Sequence, residues 1–294
     1  MRKNYYNYCL LFIACCLLAV ALPCCEVINP DEGIPSYIQI DTIQLSTDYT
    51  AEGTESHKIT DAWVYVNDQL IGTYELPATV PVLKSGSNKI VVYAGIKMNG
   101  VSATRIPYPF YEPYEITTEL FPDSIIKFEP VVHYYSSATF PWKEDFENPG
   151  YTLEITSMSD TTFDKVTGTA DVFEGSSSGH FVMRNPPHIL LECKTINEYA
   201  LPKGGKPVFL ELNYKCNNTF RIGIFENEGG ASNQVPQTIV INKSENWNKI
   251  YVNLTNEINL FANATSYNVY FGVIPDDESN PQPEVFIDNI KLVY

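Results

Sequence analysis

The sequence is poor in the features that mark nucleic-acid binders and most enzymes. Basic residues are few: 19 Lys and Arg stand against 35 Asp and Glu, for a formal charge of −16. A surface of that sign repels a phosphate backbone, which excludes nucleic acid as a partner. His occurs only at positions 57, 133, 180 and 188, without an HExxH or similar ligand spacing. No Gly-x-Ser-x-Gly elbow and no phosphate-binding glycine loop is present. Long apolar runs are missing beyond Leu22, so no transmembrane helix is predicted. No long stretch carries helical periodicity, which excludes a helix bundle. Trp is scarce, at 63, 142 and 247, but 20 Tyr and 15 Phe argue for a packed rather than a disordered chain.

The N-terminus is where apolar residues and cysteines concentrate. Arg2 and Lys3 precede an uncharged apolar run from Cys9 to Leu22, the arrangement of a secretory signal peptide. The run closes on Leu22-Pro23-Cys24-Cys25. This resembles the bacterial lipobox, which implies a signal peptide over 1–24 and lipidation of the Cys25 thiol, with plain secretory cleavage as the simpler alternative. Acyl chains on one cysteine would give a stable membrane anchor. Residues 25–35, with Glu26, Asp31 and Glu32 among Pro30, Gly33 and Pro35, read as a tether. Acidic residues close behind the cysteine resemble the export signal of surface lipoproteins in glycan-degrading Gram-negative bacteria. That implies an outer-membrane, lipid-anchored, cell-surface location. Without Arg2 and Lys3 the remaining chain carries −18.

Five of the seven Cys lie in the first 25 residues, leaving Cys193 and Cys216. Both sit in strand-like runs. An exported protein permits a disulfide between them, and two buried free thiols are the other reading.

The rest of the chain is a succession of alternating or β-branched runs divided by turn residues, which predicts an all-β protein of two β-sandwich domains. In residues 36–137, Trp63-Val64-Tyr65-Val66 leads through Asn67-Asp68 into a return strand, a hairpin signal, and Asn99-Gly100 marks a second tight turn. The pattern Val-Tyr-Val-Asn-Asp-Gln followed by Val-Leu-Lys-Ser-Gly-Ser-Asn-Lys-Ile resembles Ig-like or carboxypeptidase-regulatory-like domains, which implies a spacer or adhesion role. Between Arg105 and Tyr114 three prolines limit sheet pairing. The aromatics among them either form an exposed stacking surface or pack beneath the domain or across the seam.

Residues 138–294 open with Asp145-Phe146-Glu147 and close with Phe286-Ile287-Asp288-Asn289-Ile290-Lys291-Leu292. Between them lie Phe173-Glu174-Gly175-Ser176 and Glu245-Asn246-Trp247-Asn248-Lys249-Ile250-Tyr251. Their order resembles the jelly roll of carbohydrate-binding modules and galactose-binding-like domains. The resemblance implies polysaccharide or glycan as partner. It also implies a structural Ca2+ held by Glu147 and Asp288, with Asp145 and carbonyls completing six to eight oxygens. The plainer alternative makes Asp288-Asn289 an edge turn and Glu147 a surface charge.

No catalytic residue is assigned. A glycosidase needs two carboxylates about 5–9 Å apart, and 35 acids without a recognisable catalytic domain do not single out a pair. Sugar binding would use aromatic faces with amides and carboxylates on hydroxyls. Trp63 and Trp247 read as core, Trp142 is open, and the polar loop 226–233 is either a binding edge or a hairpin connection. The expected protein is thus a non-catalytic, lipid-anchored glycan binder. A structural or adhesion lipoprotein contacting other proteins and, more remotely, a glycoside hydrolase are the alternatives.

Overall fold

The computed structural model describes residues 6, 8–14, 16, 33–183, 188–236, 239–276, 280 and 282–294. Cys24, Cys25 and most of the signal and tether readings lie outside the described residues. Residues 8–14 are helical. Among the described residues no helix is long and apolar enough to cross a membrane.

Two all-β units follow one another. The first contains β1 (Ser36–Ile40), β2 (Gln44–Leu45), β3 (Asp61–Val66), β4 (Gln69–Glu75), β5 (Ala78–Val82), β6 (Gly86–Lys97), β7 (Arg105–Pro107), β8 (Tyr114–Leu120), β9 (Ile125–Phe128) and β10 (Val131–Val132), with one helical turn, α1 (Tyr49–Glu52), after β2. One sheet has the order β5-β1-β9, with the short pair β10-β2 beside it. The other has β4-β3-β6-β7, with β8 also on β6. Period-two alternation drives both inner faces together: Ile38 and Ile40 from β1 meet Ala62, Val64 and Val66 from β3 and Ile90 and Val92 from β6 in one core. The β3–β4 turn has Asn67 and Asp68 at φ of 49° and 62°, the left-handed pair that matches strand twist. Trp63 is a correction: it shares parity with Tyr65, not with Val64, and stands half-buried on the outer face of its sheet.

The second unit contains β11 (Trp142–Glu144), β12 (Leu153–Ile155), β13 (Phe163–Val166), β14 (Ser178–Val182), β15 (Leu191–Thr195), β16 (Phe209–Cys216), β17 (Phe220–Glu228), β18 (Ala231–Gln234), β19 (Ile239–Ile241), β20 (Ser244–Asn253), β21 (Ser266–Val273) and β22 (Glu284–Val293); α2 (Thr255–Asn259) follows β20. One sheet runs β13-β14-β22-β16-β20, with β11 on β22. The other runs β12-β15-β21-β17-β18, with β19 on β17. Leu210, Leu212, Ile250 and Leu292 from the first sheet and Leu191, Ile222, Val269 and Phe271 from the second fill the space between them.

The outer face of the β16-containing sheet is covered by the first unit. Phe209, Tyr251 and Val293 point outward into the first unit's core, where Tyr108 meets Phe209 at 5.4 Å and Tyr251 at 4.9 Å between ring centroids. The aromatics of the proline-rich segment therefore pack across the seam. Glu211 is fully buried at its centre. Its Oε1 accepts hydrogen bonds from the Tyr108 and Tyr134 hydroxyls at 2.7 and 2.8 Å, and its Oε2 lies 3.2 Å from Lys249 Nζ. Lys291, also buried, donates to the Thr54 carbonyl at 2.6 Å. Burial opposes ionisation of Glu211, but Lys249, Lys291 and the two hydroxyls outweigh it and hold the carboxyl below its usual range. Burial pushes the Lys291 amine down to about 7, against the pull of Glu211.

Removing one member of such a pair strands the other charge in an apolar seam, at a cost of about 3–5 kcal/mol. Glu211→Ala is therefore expected to lower the thermal midpoint far more than Glu154→Ala, an exposed carboxylate 3.7 Å from Lys194. Calorimetry of the two variants checks this.

Candidate ligand-binding face

The first unit covers part of one outer face of the second; the opposite outer face belongs to the β12-β15-β21-β17-β18 sheet. Its side chains form rows across the strands. Glu192, Gly272, Arg221 and Val240 are register partners in one row; Glu154, Lys194, Tyr270 and Gly223 form the next; Asn268, Phe225 and Gln234 form a third. Two glycines, Gly272 and Gly223, leave the middle of the face without side chains. Gly223 is required by close approach: a Cβ built there would lie 2.6 Å from Tyr270 Cε1, so the tyrosine ring lies across the bare backbone.

The two aromatic rings meet edge to face, with Phe225 and Tyr270 centroids 5.2 Å apart, and Lys194 Nζ sits 5.8 Å from the Phe225 ring. Glu192 is nearly buried and oriented by Thr156 Oγ1, which donates at 2.7 Å, and by Gln234 Nε2, which donates at 3.2 Å. The Tyr270 hydroxyl is buried beside the Gln234 side chain, whose amide donates to Glu192. Burial raises the Tyr270 pKa, so the hydroxyl stays protonated and able to donate. Arg221 is exposed and makes no ion pair among the described residues. The face thus offers the exposed Arg221 guanidinium, the exposed Gln234 amide and the half-buried Phe225 ring, set beside the nearly buried Glu192 carboxylate and above the buried Tyr270. That set donates to and accepts from hydroxyl groups while packing against C–H surfaces.

The residues singled out in the sequence lie elsewhere. Asp288 and Asn289 are not an edge turn: β22 is a central strand, paired with β14, β16 and β11. Its pairing with β16 shifts register there, and Asn289 has φ of 49°. This bulge sends two successive polar side chains to one face. Asp288 Oδ2 accepts from Ser178 Oγ at 2.7 Å and from the Phe173 and Glu174 amides at 3.3 and 3.2 Å. Glu147 accepts from the Ser176 amide and hydroxyl at 2.8 and 2.5 Å and from the Ser177 amide at 3.0 Å.

Both proposed calcium ligands therefore meet the same 173–178 turn, but through N–H and O–H donors that occupy their lone pairs. The pair does not fit a cation, which needs those lone pairs and several more oxygens. Among the described residues no group of three or more acidic, His or Cys side chains is placed to hold a metal. Asp145 instead accepts from the Tyr49 hydroxyl at 3.1 Å.

Cys193 and Cys216 are free thiols rather than a disulfide: β15 and β16 belong to opposite sheets, and both sulfurs are buried. Burial raises both thiol pKa values, that of Cys216 to about 11. Trp142 is buried and donates to Thr152 Oγ1 at 2.7 Å, while Trp247 is half-buried beside Phe173. The loop 226–233 is a hairpin, β17 to β18, turning at Gly229-Gly230. His180 stacks on Phe286 at 4.4 Å and lies 3.1 Å from Glu284 Oε1, and His188 lies 3.5 Å from Asp160. Sequence reasoning missed Arg221, Phe225 and Tyr270. The available signal was parity, since each alternates with a core residue in Phe220-Arg221-Ile222-Gly223-Ile224-Phe225 or Tyr267-Asn268-Val269-Tyr270-Phe271.

No family model matches the chain, and no curated protein matches it. Among solved structures it is similar to the enzymatically active domain of a bacteriophage CBA120 tailspike (15% identity, 50% of this chain, TM-score 0.36). The chain spans 20% of that domain's length. It is also similar to a carbohydrate-binding module of the β-sandwich superfamily (13% identity, 79% of this chain and 84% of the other, TM-score 0.38). A third is a xylan-binding domain from Paenibacillus barcinonensis (10% identity, 54% and 96%, TM-score 0.36). These likenesses are distant, and the functional reading rests on the face itself.

Two outcomes test this description. A chain starting at Glu26 is expected to show no thiol labelling by a disulfide reagent while folded and labelling of two thiols in denaturant; immediate absence of thiols in denaturant would mean a disulfide. Burial raises the Asp288 pKa from 3.8 to about 6 despite its hydrogen bonds. The folded state then holds this proton more tightly than the unfolded state. The resulting stabilisation is complete below pH 3.8 and lost as pH rises through about 6. Relative to Asp288→Asn, the native chain is expected to lose stability over that window and to run parallel to the variant above pH 7, as read by denaturant midpoints.

Proposed function

We infer that this is a non-catalytic glycan-binding protein of the bacterial cell surface. It is held to the outer membrane through lipid on Cys25, and captures polysaccharide on the open sheet face of its second unit. The observation that carries the reading is the combination on that face of Tyr270 lying across Gly223, the unpaired Arg221 guanidinium and the carboxylate of Glu192. A sugar ring would offer C–H faces to the half-buried Phe225 ring and hydroxyls to the exposed Arg221 and Gln234 groups. The first unit acts as an Ig-like spacer between the tether and the binding unit.

The adhesion reading has its own observation. On the outer face of the first unit, Trp63 and Tyr93 are register partners, Tyr65 meets Tyr93 at 5.5 Å, and Leu70 and Tyr135 nearby are exposed. An apolar strip of this kind suits a protein partner.

The test is affinity gel electrophoresis of the chain from Glu26 against plant, algal and host polysaccharides. Retardation by at least one is expected. Arg221→Ala and Phe225→Ala should each weaken it about tenfold, or about 1.4 kcal/mol, and Trp63→Ala should leave it unchanged. Binding lost in Trp63→Ala and kept in Arg221→Ala would move the function to the first unit. Release of reducing ends from the bound polymer would make the protein a hydrolase.

A further inference from the structure

At the edge of the seam, between the β6–β7 turn, the segment after α1 and strands β19 and β20, lies a crevice of about 250 Å3. Its charged lining consists of Lys58 and Lys97 from the first unit and Lys243 and Lys249 from the second, without a single carboxylate. In a chain of net charge −16, four amines around one small cavity run against the composition.

Three of the four are offset by acids set outside the lining: Lys97 by Glu75 at 3.2 Å, Lys243 by Asp276 at 3.0 Å and Lys249 by Glu211 at 3.2 Å. Lys58 has no acidic partner among the described residues; its amine donates to Asn248 Oδ1. Partial burial, and after it the nearby Lys97, depress its pKa. The neutral lining adds donors. Asn99 has its side-chain carbonyl taken by the Asn253 amide at 2.7 Å, which leaves its NH2 group unused, and Tyr214 accepts from Asn248 and keeps its own proton to give. The walls supply apolar contact from Val240 and Ile250.

We propose that this crevice is a second binding site, for a sulfate ester or carboxylate carried on a sugar residue. An oxyanion between Lys58 and Lys97 would neutralise the like-charge pair and take up the free donors. The volume is below the usual 300–1,000 Å3 of ligand pockets, so the crevice takes one substituted ring and not a chain. The sugar part of the assignment rests on the glycan reading of the open face, which reaches the crevice through Val240, the last member of the Glu192–Gly272–Arg221 row.

The experiment is methyl NMR of the chain from Glu26, titrated with galactose 6-sulfate, galacturonate and galactose. The Val240 and Ile250 methyl signals are expected to shift with one or both anionic sugars, which also tells sulfate from carboxylate, and to stay in place with galactose. Raising NaCl to 0.5 M should reverse the shifts. Lys58→Met and Lys97→Met, which keep the apolar stem, should weaken binding at least tenfold, while Arg221→Ala should not. Shifts equal for galactose, shifts unchanged in both lysine variants, or no shift with either anion would each overturn the site. None of these results bears on retention of neutral polysaccharide by the open face, which the gel assay reads separately.

Discussion

Glu211 is ionised in a place that water does not reach, and much of the molecule is arranged so that it can be. An uncompensated carboxylate in an apolar seam would cost several kcal/mol. Here two tyrosine hydroxyls from the first unit, Lys249 from the neighbouring strand and Lys291 from the strand on the other side supply the compensation. The tyrosines come from two places in the first unit, Tyr108 in the proline-rich segment and Tyr134 just after β10. Neither would be in reach unless the first unit sat on this sheet in this register. The same constraint explains why Lys291 is tied to the Thr54 carbonyl and Asn213 to Ser56, both on the connection that follows α1. That connection runs over the second unit because buried polar groups there need partners.

Covering one sheet decides what the other can do. With part of its other face covered, the second unit keeps the β12-β15-β21-β17-β18 sheet clear of the first unit. On it Glu192 is held by Thr156 and Gln234, while Arg221 is exposed and makes no ion pair among the described residues.

The fold was legible in the sequence wherever parity or turn chemistry decided it. Ile38 and Ile40, Val64 and Val66, and the Asn67-Asp68 turn read correctly from local pattern alone. Trp63 did not, because its size suggested the core while its parity with Tyr65 placed it outside. The strand-like run around Cys216 is β16, and its alternation turns Glu211 away from the inner face without revealing that another unit covers it. Glu147 and Asp288 each accept from the 173–178 turn, through amide N–H and serine hydroxyl donors that no spacing reveals. Gly175, at φ of 72° with Glu147 crowding the position of a Cβ, is what lets the turn present those amides. The open face was the least legible part. Arg221 and Phe225 lie four residues apart on β17 and Tyr270 on β21, and the register of the two strands brings them together.

The seam also limits how the second unit can be reused. A portable module keeps water-compatible surfaces on every side, so that it can be joined to new neighbours by a linker alone. This one presents Phe209, Tyr251 and Val293, interleaved with Glu211, Lys249 and Lys291, on a face that exists only in combination with the first unit. Recombination at the boundary would hand a new neighbour an aromatic surface studded with charges that it could not neutralise. The two halves are therefore expected to have been inherited as one piece.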